Sequence, residues 1–140
     1  MTLIDKTIFI VEDDVVNLAA VRMLLQKEGA HVPFDPIGSR TTQNLLEILS
    51  KPGTQVDLIL LDLKLFYGIS GYEVLKAIRA KPNLAHIPVV AFTAADPEQE
   101  IPKAQAAGFN GYITKPIERD HFIQDLSQIL EGKPVWRSVR

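Results

Sequence analysis

Short apolar runs alternate with longer amphipathic segments along this chain. Five runs are short and rich in β-branched or aromatic residues, which predicts strands at 7–11 (TIFIV), 30–34 (AHVPF), 56–62 (VDLILLD), 87–93 (IPVVAFT) and 111–114 (GYIT). Pro33 cannot donate a hydrogen bond to a neighbouring strand, so the second run is the weakest and is expected at an edge.

Helical periodicity fills the intervals between these runs. It predicts helices from about Val15 to Glu28 and at 39–49, 71–80, 97–108 and 118–130. The first helix places four apolar residues on one face: Leu18, Val21, Leu24 and Leu25. Asp14 is expected to cap that helix and Gly29 to stop it. Pro102 makes the middle of the fourth helix doubtful, and residues 132–140 have no clear assignment.

The alternation of strands and helices predicts an α/β fold, a doubly wound parallel sheet of five strands with helices on both faces. Crossovers between parallel strands are right-handed, so all five strands point the same way. With the strand order 2-1-3-4-5, the first and third strands are neighbours. Ligands of such sheets bind at the carboxyl ends of the strands, and chemistry is therefore expected there.

Composition and charge narrow the class of protein. The 140 residues are 46% hydrophobic, which suits a single domain over 1–140. The chain has no cysteine, which excludes disulfides and thiolate metal sites. A net charge of −2 with mixed signs argues against a nucleic-acid partner. No membrane-spanning stretch or signal peptide is visible, so a cytoplasmic protein without a membrane partner is expected.

Polar residues stand at the ends of four predicted strands. Glu12 and Asp13 follow the first strand, Asp62 ends the third, Thr93 ends the fourth and Lys115 follows the fifth. A parallel sheet brings these positions to one edge, where clustered carboxylates would repel one another without a cation. Mg²⁺ takes carboxylates, waters and phosphate oxygens as ligands, and with Lys115 it would balance the three acids. We therefore predict a Mg²⁺ site here.

A carboxylate, a divalent cation, a lysine and a hydroxyl together suit phosphoryl transfer. Asp62 ends the most apolar strand and is the best candidate for a nucleophile that forms an aspartyl phosphate. Lys115 and the Thr93 hydroxyl would then contact phosphate oxygens. Taken singly, Glu12 and Asp13 could be solvated loop acids, Asp62 could cap a turn and Lys115 could be a solvated side chain. Their coincidence at one edge favours a site.

Five stretches, taken in order and spacing, resemble the receiver domain of two-component response regulators, and in particular stand-alone, chemotaxis-regulator-like ones. They are IFIVEDD, DLILLDLKL, SGYEVL, IPVVAFTA and GYITKPI, and the resemblance covers about residues 6–131. It implies a flavodoxin-like (βα)5 fold. It also implies that Glu12 and Asp13 form an acidic metal site, that Asp62 is the phosphoacceptor and a Mg²⁺ ligand, and that the Lys64 backbone carbonyl is a further ligand.

The same resemblance implies a switch next to the site. Thr93 matches the family's switch hydroxyl, and Lys115 matches its phosphate-contacting lysine. Tyr112 matches the aromatic residue that swings inward on activation. The Lys115–Pro116 peptide bond matches one that is usually cis, a form that proline makes accessible.

The loop after the phosphoacceptor departs from the family's pattern. Phe66 stands where a proline is usual, and Gly71 follows Asp62 by nine residues rather than eight. Phe66 and Tyr67 therefore bring two aromatic residues close to the site, and the Lys64 carbonyl could be displaced. The insertion is either a tolerated loop change or a feature that modulates phosphorylation or contacts a partner.

The resemblance implies a signalling phosphoacceptor, and not an enzyme beyond its own phosphorylation and dephosphorylation. Its partners would be a histidine kinase or phosphotransfer protein and a downstream protein met in trans, because few residues follow the last helix. The alternative is a receiver-like binding module that works without phosphorylation. A phosphohydrolase would want a second acid where Lys64 stands, and a flavin binder would want a phosphate loop in place of EDDVVN.

Overall fold

The computed structural model describes residues 3–33, 41–65 and 68–137. Within these ranges the strands are β1 (Ile8–Val11), β2 (Leu58–Leu61), β3 (Val89–Thr93), β4 (Gly111–Thr114) and β5 (Val135–Arg137). The helices are α1 (Val15–Lys27), α2 (Thr42–Leu49), α3 (Gly71–Ala80), α4 (Pro97–Ala107) and α5 (Arg119–Leu130). None of the helices in the described ranges is long and apolar enough to span a membrane.

All five strands form one parallel sheet in the order β1-β2-β3-β4-β5. The predicted fold class is confirmed, and β1, β2, β3 and β4 fall within the runs predicted as the first, third, fourth and fifth strands. Their apolar character follows from burial on both faces, since every residue of β2 and β3 is buried.

The predicted second strand at 30–34 is reduced to a single bridge, so its assignment as a full strand is wrong within the described residues. His31 pairs with Thr7, accepting a hydrogen bond from Ile8 N–H (2.9 Å) and donating one to the Lys6 carbonyl (2.8 Å). The carbonyl of Thr7 faces the other way and accepts from Asp57 N–H. The segment therefore lies at the predicted edge beside β1, and Pro33 stands where the pairing ends. Phe34 lies outside the described residues.

The C-terminal tail, which had no predicted element, contributes a strand of the sheet. β5 is parallel to β4, and Val135 and Trp136 pair with Gly111 and Tyr112. The turn at residues 131–132 ends α5 and reverses the chain. The sheet thus has a strand beyond the predicted last one, and β4 is not its edge.

Successive strand residues point to opposite faces and divide the core into two clusters. On one face, strand residues such as Ile8 and Ile10 pack with α1 and α5. On the other face, Phe9 and Tyr112 pack with α2, α3 and α4. The predicted apolar face of α1 is confirmed, because Val21 and Leu25 are buried while Leu18 and Leu24 are partly buried against the same cluster.

Helix α4 is continuous through Pro102, so the doubt about its middle is removed. A proline at this position cannot donate to the carbonyl four residues earlier, that of Glu98. Both Pro102 and Glu98 are exposed, and water can therefore satisfy that carbonyl. Asp96 caps the helix with its side chain on Glu98 N–H at 3.1 Å.

The loop between Asp62 and α3 is closed by a short antiparallel pairing. Lys64 is bridged to Ser70, Leu65 N–H donates to the Ile69 carbonyl (3.0 Å), and Gly71 N–H donates to the Leu63 carbonyl (2.9 Å). Phe66 and Tyr67, the two aromatic residues expected close to the site, lie outside the described residues. The ends of the loop, which adjoin the site, are held by these bonds.

Gly71 is the point at which α3 touches the backbone of Asp62. A Cβ atom on Gly71 would lie 2.3 Å from the Asp62 carbonyl oxygen and 2.8 Å from the Leu63 Cα. Neither atom can move without shifting the end of β2. The absence of a side chain at Gly71 therefore sets how closely the first turn of α3 approaches the strand end.

We expect Gly71→Ala to destabilise the fold by about 1–3 kcal/mol, the cost of forced overpacking against atoms that cannot yield. Urea denaturation measures this change. Gly53→Ala gives a contrasting case, because Gly53 has open space around it but a positive φ of 85°, so a loss of stability there reports backbone strain and not a clash. A Gly71→Ala variant as stable as the wild type would mean that the strand end adapts freely.

Candidate functional site

The parallel register brings the predicted strand-end residues to one edge of the sheet. Val11 pairs with Leu61, so Glu12 and Asp62 leave neighbouring strands at the same level, and Asp62 N–H donates to the Val11 carbonyl (3.2 Å). On the other side, Lys115 N–H donates to the Thr93 carbonyl (2.9 Å). The Lys115–Pro116 peptide bond is cis, as expected.

The Lys115 ammonium lies between two carboxylates at this edge. It forms ion pairs with Glu12 Oε1 and with Asp62 Oδ2, the latter at 3.0 Å. The side chains of Glu12, Asp62 and Lys115 are only 5%, 14% and 15% exposed. The cation that pairs with Glu12 in this structure is therefore Lys115, which directly follows β4 and lies about 100 residues later in the chain.

Glu12 is held by several donors at once. Its Oε2 accepts from the N–H groups of Asp13 (3.1 Å) and Asp14 (3.3 Å), and Asn17 Nδ2 donates to Oε1 at 2.6 Å. Asp14 caps α1, as predicted, through the N–H groups of Val16 and Asn17. That cap places Asn17 on the first turn with its side chain directed back at Glu12.

Sequence reasoning missed Asn17 as part of the site. A signal was available, because a polar residue three positions after a helix cap is placed to reach back toward the residues before the helix. Asn17 fixes the Glu12 oxygen that also binds Lys115. It therefore helps to position the ammonium without contacting Asp62 in any described hydrogen bond.

The environment of Lys115 keeps its ammonium charged. Burial alone would lower the pKa of Lys115, but the hydrogen bond that Lys115 donates to Glu12 and the charge of Asp62 outweigh it, and the pKa is raised. The ammonium also lies 5.0 Å from the centre of the Phe92 ring, within the range of a cation–π contact. Lys115 is thus a fixed positive charge beside Asp62.

Asp62 keeps its second oxygen on the loop side of the site. Asp62 Oδ1 accepts from Lys64 N–H at 3.3 Å, a longer bond than that of Oδ2 to Lys115. The pairing of Lys64 with Ser70 is of the type in which neither residue bonds directly to the other, so this pairing does not use the Lys64 carbonyl.

A metal site is not preformed among the described residues, where no group of three or more Asp, Glu, His or Cys side chains is arranged to hold an ion. The donor chemistry nevertheless suits a hard cation. One ammonium faces the two carboxylates of Glu12 and Asp62, which leaves an excess of negative charge, and the donors of this pair of acids are oxygens. Asp13 is half-buried next to Glu12.

Thr93 and Tyr112 are linked through one peptide group. Thr93 is 2% exposed, and its Oγ1 accepts from Ala95 N–H at 3.2 Å. The Tyr112 hydroxyl donates to the Ala95 carbonyl at 3.1 Å, and its ring is fully buried. Tyr112 is therefore in an inward position here. The Ala95 peptide, which sequence reasoning did not identify, connects the predicted hydroxyl with the predicted aromatic.

Glu100 is a carboxylate near Tyr112 that was not identified from the sequence. Burial raises the pKa of Tyr112 to about 12, and the charges of Glu100, Asp96 and Asp62 add to the effect. Glu100 Oε1 accepts from the Tyr72 hydroxyl at 2.8 Å, which ties α3 to α4. Burial and this bond raise the pKa of Tyr72 as well.

Two grooves flank the strand-end cluster. A groove of about 300 Å³ lies between α1 and the start of α5, and Lys115 and Asn17 form part of its wall. A groove of about 620 Å³ lies between the loop after Asp62 and α4, where Lys64 and Ala95 line it. Each groove therefore borders the strand-end cluster, one at Lys115 and the other at Lys64.

Comparison with known proteins agrees with this geometry. The family described as "Response regulator receiver domain" matches residues 8–127. The chain is 32% identical over 125 residues to the polar-differentiation response regulator DivK of Brucella ovis, a match that covers 89% of this chain and 96% of that protein.

Solved structures match as well. A receiver domain of a sensor histidine kinase from Pseudomonas aeruginosa, described with a magnesium ion coordinated in its active-site cleft, is 27% identical with a TM-score of 0.72, over 92% of this chain and 99% of that one. The chemotaxis protein CheY4 of Vibrio cholerae shares the fold, with a TM-score of 0.76 at 20% identity over 89% of this chain and 98% of that one. The chain belongs to the receiver domain family of two-component response regulators.

Proposed function

We propose that this chain is a phospho-accepting response regulator in which Asp62 receives a phosphoryl group from a histidine kinase or phosphotransfer protein. The observation that carries the proposal is the buried Lys115 ammonium held between Glu12 and Asp62. A fixed cation at the nucleophile stabilises the oxygen charges of a phosphoryl group during transfer. The chain would assist only its own phosphorylation and dephosphorylation, so it is not an enzyme acting on other substrates.

Mg²⁺ is the proposed cofactor. Glu12, Asp13, Asp62 and the Lys64 backbone carbonyl would hold it. Their hard oxygen donors and excess negative charge support this assignment. When bound, Mg²⁺ would neutralise phosphoryl oxygens that Lys115 cannot reach alone.

The transfer itself needs little covalent chemistry from the protein. A carboxylate oxygen of Asp62 attacks the phosphorus, the P–N bond of the donor phosphohistidine breaks, and its electron pair returns to the imidazole nitrogen. Lys115 contacts one phosphoryl oxygen, and the Thr93 hydroxyl donates a hydrogen bond to another. Thr93 already bonds Ala95 N–H, so its movement would be passed to the Ala95 carbonyl and to Tyr112.

The proposed docking face for the phosphoryl donor is the exposed side of α1. Val16 and Met23 are 80% and 60% exposed although both are apolar, and they lie on one helical stripe beside the groove that Lys115 lines. A donor covering this stripe would shield the site from water. The downstream partner would be a separate protein. It would bind the surface whose shape changes with the position of Tyr112.

We expect a mass gain of one phosphoryl group when the protein is incubated with Mg²⁺ and acetyl phosphate. Asp62→Asn should abolish the gain, because the nucleophile is removed, and chelation of Mg²⁺ with EDTA should suppress it. Asp5→Asn is the matched control, since Asp5 is an exposed acid away from this edge. Intact-protein mass spectrometry measures the product. An undiminished gain in Asp62→Asn, or none with any donor, would contradict the proposal.

We expect Val16→Ser combined with Met23→Ser to slow phosphotransfer from a protein donor by about tenfold, the cost of losing apolar contact. The rate with acetyl phosphate should not change, because neither side chain touches Asp62. Ile4→Ser is the control, since Ile4 is 58% exposed at the other end of α1. Equal slowing with both donors would instead indicate damage to the site.

We expect the folded protein to lose stability between about pH 10 and about pH 12 through Tyr112. The unfolded phenol ionises near its ordinary pKa of 10.0, whereas the raised pKa keeps it protonated in the fold to about 12. The contribution is complete below pH 10 and is lost as pH rises through this window, by up to about 2 kcal/mol. Urea denaturation at several pH values measures it, and Tyr112→Phe should flatten this part of the profile. A profile unchanged in Tyr112→Phe would contradict the buried position.

A further inference from the structure

The C-terminal strand covers an edge that would otherwise be open. β4 pairs with β3 on one side, and β5 lies along its other side with Val135 opposite Gly111 and Trp136 opposite Tyr112. An uncovered β4 would present a row of unpaired backbone groups beside Tyr112, which proteins avoid at a sheet edge. β5 is therefore part of the surface next to Tyr112, where the proposed switch would change the shape of the protein.

A glycine in β4, Gly111, allows β5 to pack closely against that strand. A Cβ atom on Gly111 would lie 2.9 Å from the Val135 carbonyl oxygen and 2.8 Å from Ile129 Cδ1. The Ile129 side chain could move, but the Val135 carbonyl belongs to the docked backbone. Any larger residue at Gly111 would push β5 away, so the close fit of the two strands depends on this position.

The two residues of β5 with described side chains face opposite layers. Val135 is 9% exposed and joins the cluster that contains Ile129. Trp136 is partly buried against the cluster that contains Tyr112, Ala104 and Phe109. Paired residues on neighbouring strands direct their side chains to the same face, so Trp136 is the same-face neighbour of Tyr112 on the outer side.

The position of Trp136 limits what Tyr112 can do. The Tyr112 ring is fully buried, with its hydroxyl on the Ala95 carbonyl, on the inner side of its strand. Rotation to a rotamer directed at the outer edge would carry the ring toward β5 and into the space that Trp136 covers. A docked β5 and an outward Tyr112 therefore exclude each other.

We propose that β5 is a strap whose Trp136 holds Tyr112 in its inward position. The proposal rests on the proposed function for its regulatory meaning, because the inward position is the one that phosphorylation of Asp62 would favour. The strap then sets the balance between the two positions before any phosphoryl group arrives. A protein whose strap favours the inward position would bind its downstream partner to some extent without phosphorylation. This would make it behave in part like the phosphorylation-independent binding module considered above.

Coupling of this kind is reciprocal. Hydrogen bonds link Thr93 to the Ala95 peptide and the Ala95 peptide to Tyr112, and strand pairing places Trp136 next to Tyr112. If the strap favours the inward position, and that position favours the phosphorylated site, then a phosphoryl mimic and the strap must stabilise each other by the same factor. Loosening Trp136 must weaken binding of the mimic.

The first test reads the Tyr112 position directly. Tetranitromethane nitrates accessible phenols, and peptide mass spectrometry locates the modified tyrosine. We expect Tyr112 to be protected in the wild type and nitrated about tenfold faster in Trp136→Ala. Val135→Ala is the matched control, because Val135 lies in the same strand but faces the other cluster, and it should leave Tyr112 protected. Equal protection in Trp136→Ala and the wild type, or equal loss in both variants, overturns the proposal.

The second test reads the coupling. Titration with beryllofluoride in the presence of Mg²⁺ should give a Kd about tenfold weaker in Trp136→Ala than in the wild type, and nearly unchanged in Val135→Ala. An unchanged Kd in Trp136→Ala overturns the regulatory role. If Trp136→Ala fails to fold by circular dichroism, Trp136→Leu, which keeps part of the apolar contact, takes its place with the same expected order of effects. A wild type that binds no beryllofluoride counts against the proposed function, while the strap is judged by nitration.

Discussion

The arrangement of this molecule depends on one buried ion-paired triad, the Lys115 ammonium between the carboxylates of Glu12 and Asp62. Each charge alone would be costly at this depth, and removing one partner from such a cluster leaves the others uncompensated. The triad joins the ends of β1, β2 and β4, so the strand ends must converge before any charge is satisfied. The same requirement leaves Asp62 beside a fixed cation, which is the condition for accepting a phosphoryl group.

The sequence alone predicted that these strand-end residues meet, because a simple rule relates the order of the strands to the position of their ends. Parallel strands share one carboxyl edge, so residues at 12, 62, 93 and 115 had to meet once the strands were located. What the rule could not supply was the hydrogen-bond partner of each group. Asn17 and the Ala95 peptide act through side-chain or backbone directions that depend on how the helices dock, and periodicity does not contain that information.

The strand assignments failed where local pattern and long-range pairing disagree. The segment at His31 has β-forming residues but keeps one bridge within the described part of the chain, and Pro33, two residues later, has no N–H to extend the pairing. Val135–Arg137 is three residues long, too short for any periodic signal, yet it pairs along its whole length. Its place is decided by an apolar seat on β4 and α5 that exists only after the rest of the sheet has formed.

Two structural features lie on either side of the Thr93–Ala95–Tyr112 series. The loop after Asp62 borders the groove that Ala95 lines, and its ends are fixed by the Lys64–Ser70 pairing and by the contact of Gly71 with the Asp62 backbone. β5 borders the series at its other end, through Trp136. The triad ties the strand ends together, whereas the loop and β5 border the series through which the proposed change at Asp62 would be passed on.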